Sequence, residues 1–183
     1  MILAGGASAR MGRDKALLPF RGEPLAARAA AALRPLTGSL VFAGAAGNAA
    51  ALRAFALGRV AVDAAPFEGP LMGLRAALDL ARAPVLVAAC DAPWPSRDGA
   101  RALLRRAGSG WLAAAGCPPG GEPAPLPLLC AASCLERIDR LLADGARSLR
   151  ALLRHAPARI LPLPPAAFAE DADTPEALER ARR

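Results

Sequence analysis

The sequence predicts an α/β fold, one domain over residues 1–183, with a mostly parallel central sheet and helices on both faces. Three observations carry this. Short apolar runs of strand length alternate with longer segments whose apolar residues recur at helical spacing. A glycine pair follows the first run at once, and two later runs end on aspartate; open parallel sheets bind their ligands beyond such strand ends. At 183 residues the chain is long enough to bury roughly two-thirds of its unfolded surface as one unit.

Taken in order, residues 1–4 read as a strand and 5–15 as a glycine-rich turn. Residues 16–20 are a short apolar piece before a turn at 21–23. Pro24 opens a helix with Leu25, Ala29 and Leu33 on one face, closed by Pro35. Residues 40–43 form a second strand, Asn48 caps a helix to about Phe55, and residues 59–62 form a third strand ending at Asp63. Gly69 and Gly73 bracket the start of the next helix, striped by Leu71, Leu74, Leu78 and Ala81. Residues 84–89 are the most strand-like run and end in Cys90-Asp91-Ala92-Pro93. Ser96 caps a helix to Arg106, and residues 111–115 form a strand. The Pro- and Gly-rich loop at 116–125 is placed to act as a mobile lid. Residues 126–130 form a strand put at the sheet edge because of Pro127. Helices follow at 133–143 and 147–155, then a strand at 159–163. Thr174 caps a final helix that Pro175 starts.

Composition narrows the function classes. Apolar residues make up 54% of the chain, but alanine supplies much of this, so the core rests on small side chains. No run of about eighteen strongly apolar residues occurs, so no membrane span is expected, and the N-terminus lacks a secretory layout. The net charge of +7 permits anionic partners, yet the arginines are scattered and aromatics are only 4%, which argues against nucleic acid. Cys90, Cys117, Cys130 and Cys134 are read as reduced thiols of a cytoplasmic protein. With His155 the one histidine and no Cys-x-x-Cys pair, no zinc site is expected.

The first turn, Leu3-Ala4-Gly5-Gly6-Ala7-Ser8-Ala9-Arg10-Met11-Gly12-Arg13-Asp14-Lys15, concentrates the chemistry. Paired glycines let backbone N–H groups form an anion-binding nest, and Arg10, Arg13 and Lys15 add cations suited to a polyphosphate. A plain surface turn with solvated charges would look similar. Lys15 tilts the balance: it is the only lysine among 23 basic residues. A chain that otherwise uses arginine keeps one compact, rotatable ammonium here. The spacing excludes two common phosphate motifs, since Gly6 to Gly12 is one residue too long for a Walker A loop and Gly-x-Gly-x-x-Gly is absent. Asp91, a carboxylate at the end of a central strand, could hold a metal or merely tie a turn.

The stretch resembles the signature of small nucleotidyltransferases, Leu-Ala-Gly-Gly-x-Ser-x-Arg-Met-Gly-x-Asp-Lys, and is most similar to the molybdenum cofactor guanylyltransferase (MobA type) family. Three more motifs follow in the family's order: Gly-Pro-Leu-x-Gly at Gly69 to Gly73, Cys-Asp-x-Pro at Cys90 to Pro93, and Gly-x-Arg at Gly145 to Arg147. The acidic run before Thr174 and Pro175 is similar as well. The resemblance implies a Rossmann-like nucleotidyltransferase that joins GMP from GTP to molybdopterin and releases pyrophosphate. It implies nucleotide contacts from Leu3, Ala4, Gly5, Gly6, Lys15, Asp63, Gly69, Gly73 and Asp91. Lys15, Arg10 and Asp91 are implied in catalysis, and Mg²⁺ on Asp91 with Asp173, or more distantly Asp171, as a further ligand. A monomer is expected, with GTP and the molybdenum cofactor as partners, and other cofactor-biosynthesis or molybdoenzyme proteins beyond them.

Three departures accompany the match. Family members usually carry several more residues ahead of the position of Met1. Ala43 stands where some place a nucleotide-contacting Asn, so guanine selection must do without that side chain. The loop at 116–125 aligns poorly and says little about the acceptor. A CTP-dependent sister enzyme, a guanylyltransferase for another phosphorylated acceptor, and a non-catalytic nucleotide-binding protein remain as alternatives. Ala4-Gly5-Gly6 and Asp14-Lys15 favour GTP over CTP.

Overall fold

The computed structural model describes residues 1–4, 14–44, 47–54, 59–62, 69–90 and 97–164. In chain order these form β1 (Ile2–Leu3), a 3₁₀ turn (Lys15–Leu17), β2 (Pro19–Phe20), β3 (Glu23–Pro24), α1 (Leu25–Leu33), β4 (Val41–Gly44), α2 (Ala49–Ala54), β5 (Arg59–Val62) and α3 (Pro70–Ala81). Then come β6 (Val85–Ala89), α4 (Arg97–Arg106), β7 (Ala113–Cys117), β8 (Leu128–Cys130), α5 (Leu135–Ala143), α6 (Leu149–His155) and β9 (Ala158–Pro162).

Seven strands make one sheet in the order β5-β4-β1-β6-β8-β7-β9. β5, β4, β1 and β6 run parallel. β8 is reversed against both neighbours, so β7 and β9 regain the common direction. Among the described residues, β8 alone breaks the parallel pattern of this sheet. β2 and β3 form a separate hairpin whose turn, Arg21 and Gly22, has positive φ at both residues. That combination matches the twist of a two-residue hairpin loop.

The strands alternate side chains between two cores, as the period of two requires. Met1, Val41, Ala43, Val85, Val87, Ala113, Ala115, Leu128 and Cys130 face α3, α5 and α6. Ile2, Ala4, Leu40, Phe42, Leu86, Ala114 and Leu129 face α1, α2 and α4. Alanine in the sheet and on α1 brings the layers close together, the small-residue core expected from composition.

Three expectations need correction. Residues 126–130 do not form an edge strand: β8 is short, fully buried and paired on both sides, with Val85 and Ala113 both opposite Cys130. Pro127 precedes it and so withdraws no N–H from the ladder. Asn48 does not cap α2 through its side chain, which is committed elsewhere; its backbone carbonyl accepts from Leu52 instead. The loop after β7 is tied down: Ala124 N–H donates to Gly116 O at 2.8 Å, Cys117 Sγ to Gly121 O at 3.1 Å, and Glu122 pairs with Arg150.

Candidate nucleotide site

The candidate site residues follow, in the chain, the carboxyl ends of strands of the parallel part of the sheet, among them β1 and β6. Leu3 lies between Ala43 and Ala89 in the two parallel ladders. Ala4 N–H donates to Ala43 O at 2.8 Å, and Cys90 N–H donates to Leu3 O at 3.1 Å. The residues that precede Gly5 and Asp91 in the chain are therefore held on adjoining strands. Ala43 is buried and its carbonyl accepts from Ala4 N–H, so this position ties β4 to the end of β1 through backbone. Beyond β4, Gly44 pairs with Val62, which places the residue before Asp63 two strands from β1.

Lys15 is half-buried at the start of its 3₁₀ turn. Asp14 caps that turn: its Oδ1 accepts from Ala16 N–H at 2.9 Å, and its carbonyl accepts from Leu17 N–H at 3.2 Å. Leu18 N–H in turn donates to Lys15 O. The aspartate before the lysine, read in the sequence only as part of a motif, thus builds the platform that carries it. An Asx-type turn was the signal available for this.

Gly69 precedes α3 with φ +85° and ψ 170°, a conformation essentially restricted to glycine. A Cβ there would stand 2.7 Å from Arg147 O, the carbonyl that accepts from Leu71 N–H at 3.1 Å. The Gly-x-Arg segment at 145–147 therefore holds the start of α3 through backbone, while Arg147 Nη1 donates to Leu142 O and Ala146 O. Nothing in the linear sequence pairs Gly69 with a residue so far away. Gly73 is buried inside α3. Gly69→Ala combines backbone strain with this clash and should cost at least about 1–3 kcal/mol, read as a lower melting temperature.

Asn48 is the second residue whose role was missed. Its Nδ2 donates to Ala4 O at 2.7 Å, joining α2 to the end of β1. Of the predicted site residues, Leu3, Ala4, Lys15, Gly69 and Gly73 are placed as above. Gly5, Gly6, Arg10, Asp63, Asp91, Asp171 and Asp173 lie outside the described residues. Among the described residues no cluster of three or more His, Cys, Asp or Glu forms a metal centre. No helix there is long and apolar enough to cross a membrane.

This sheet is that of the α/β nucleotidyltransferases. The chain belongs to the MobA-like NTP transferase domain family, whose sequence profile matches residues 1–160. It is 43% identical over 159 residues to a molybdenum cofactor guanylyltransferase of Pseudomonas putida, covering 85% of this chain and 82% of that protein. Among solved structures it resembles molybdopterin-guanine dinucleotide biosynthesis protein A from Archaeoglobus fulgidus, with a TM-score of 0.79 and 22% identity, over 99% of this chain and 95% of that one. It also resembles Rv0371c of Mycobacterium tuberculosis, determined in complex with manganese, with a TM-score of 0.73 and 22% identity, over 98% of this chain and 94% of that one.

Proposed function

We propose that this chain is a molybdenum cofactor guanylyltransferase, a single domain over residues 1–183 acting as a cytoplasmic monomer. It joins GMP from GTP to molybdopterin and releases pyrophosphate. The observation that supports this most is the adjoining of β1 and β6. The hydrogen bond from Cys90 N–H to Leu3 O holds the residues that come just before Gly5 and Asp91 in the chain at neighbouring strand ends. A phosphate-binding turn and a carboxylate are then available to one triphosphate.

The reaction needs few parts. A phosphate oxygen of the acceptor attacks the α-phosphorus of GTP in line. The new P–O bond forms as the bond to the β-phosphate bridge breaks, and pyrophosphate leaves with that electron pair. The protein's share is positioning and charge stabilisation. Amides of Gly5 and Gly6 hold the phosphates with Arg10. Lys15, on its capped turn, offers an ammonium to the charge that develops at the α-phosphate. Asp63, Gly69 and Gly73 border the nucleoside. Asp91 and Asp173 supply hard carboxylate oxygens of the kind that suit Mg²⁺, and they would hold it here. Bound there, the ion would screen repulsion between the phosphates and the incoming oxygen.

Equilibrium binding of GTP and CTP in the presence of Mg²⁺ tests the nucleotide assignment. GTP should bind more tightly. Tighter binding of CTP would reassign the chain to a cytidylyl-transferring reaction.

A further inference from the structure

We propose that Asn48 is a positioning residue of the nucleotide site: it clamps the carbonyl of Ala4 and so sets the direction of the first backbone N–H of the glycine turn. The inference rests on the assignment of that turn to the triphosphate. Asn48 is the one buried polar side chain among the described residues, at 1% exposure. It makes a single short hydrogen bond, Nδ2 to Ala4 O at 2.7 Å, across 44 positions of sequence. Its Oδ1 is buried with no hydrogen-bond partner among the described residues. Burying a carboxamide with its acceptor unmet is unfavourable, and an apolar side chain would avoid that cost. Space is also kept for it. A Cβ on Gly44 would lie 2.8 Å from Oδ1 and 2.8 Å from Leu52 Cδ1. Two positions are thus given over to one bond, and that bond ends on Ala4.

Ala4 is then held on both sides, its N–H by Ala43 O and its carbonyl by Asn48. A peptide unit is planar and trans, so a carbonyl fixed in direction also fixes the N–H that follows it. The N–H after the Ala4 carbonyl belongs to Gly5. Asn48 need not touch the nucleotide to act on it; it acts through the peptide unit whose carbonyl it holds.

Asn48→Leu keeps the volume and removes the donor. Asn48→Asp keeps the shape and, when ionised, places a second acceptor against Ala4 O. Both variants should weaken GTP binding by about tenfold to a hundredfold, the range that a small misplacement of a binding group brings. Binding of guanosine, which has no phosphates, should be unchanged. Leu52→Ala on the same helix serves as the stability control, since Leu52 is buried in the core: it should lower the melting temperature and leave the ratio of GTP to guanosine affinity as it was. The proposal is overturned if both Asn48 variants bind GTP like the parent, if they lose guanosine and GTP affinity equally, or if Leu52→Ala shifts the ratio as much. Lys15→Ala, measured in parallel, separates the two levels: weak GTP binding by that variant with normal binding by the Asn48 variants removes Asn48 alone. Normal binding and turnover by Lys15→Ala removes the site assignment beneath it.

Discussion

Replacing Lys15 by alanine is expected to lower kcat for GMP transfer by about 100- to 1,000-fold, the loss that follows removal of one preorganised charge-stabilising donor. The fold should be unaffected. The turn that carries Lys15 is built from the Asp14 carboxylate on Ala16 N–H and from backbone bonds of Leu17 and Leu18, none of which uses the lysine side chain. Lys15→Arg should recover little, because a planar guanidinium on a longer stem cannot follow the α-phosphate as a compact ammonium does. Turnover by Lys15→Ala equal to the parent, in a steady-state assay of pyrophosphate release, would remove the residue from the mechanism.

Asp91→Asn should have an effect of comparable size on turnover and almost none on the fold. If Asp91 served only to tie a turn, losing its carboxylate would cost about 1 kcal/mol or less and leave metal dependence unaltered. As the Mg²⁺ ligand it behaves otherwise. The amide keeps the shape and loses the charge, so Mg²⁺ affinity in the GTP complex and turnover should fall together. The ligand-free melting temperature should hold. Cys90, the residue before Asp91, is held by its own N–H on Leu3 O, a bond that uses no part of the Asp91 side chain. Titration of Mg²⁺ against activity separates the two outcomes, and an Asn variant with normal metal dependence contradicts the assignment.

Much of the fold was legible because local pattern and tertiary role coincide. Val85, Leu86 and Val87 are consecutive, apolar and β-branched or bulky, and they form the strand beside β1. Leu25, Ala29 and Leu33 fall on one helical face and are buried together. The strand order was another matter. β8 is three residues long, and its position between β6 and β7 depends on distant partners: Val85, opposite Cys130, lies 45 residues before it. Pro127 pointed towards an edge because a proline disrupts a ladder only where its missing N–H is needed, and the strand begins one residue later.

The candidate site is marked in the sequence by motif, and the described residues that support it are not. The glycine pair, Lys15 and Asp91 announce themselves by residue type. Their scaffolding does not: Asp14 acts through a turn, Arg147 through its carbonyl on Leu71, and Asn48 through an amide directed at Ala4. An asparagine ahead of a helix has helix capping as its commonest use, and only the hydrogen bond from its Nδ2 to Ala4 O shows that this one is occupied elsewhere. Backbone carbonyls carry no residue type at all, so the contact between the 145–147 segment and Gly69 leaves no trace in sequence.

The most direct measurement is pyrophosphate release with GTP, Mg²⁺ and molybdenum cofactor supplied together, compared with the same mixture lacking the acceptor or containing CTP. Release of one pyrophosphate per guanine dinucleotide formed, dependent on the acceptor and faster with GTP than with CTP, is the predicted result. Nucleotide bound without pyrophosphate release, or release that prefers CTP, would contradict it.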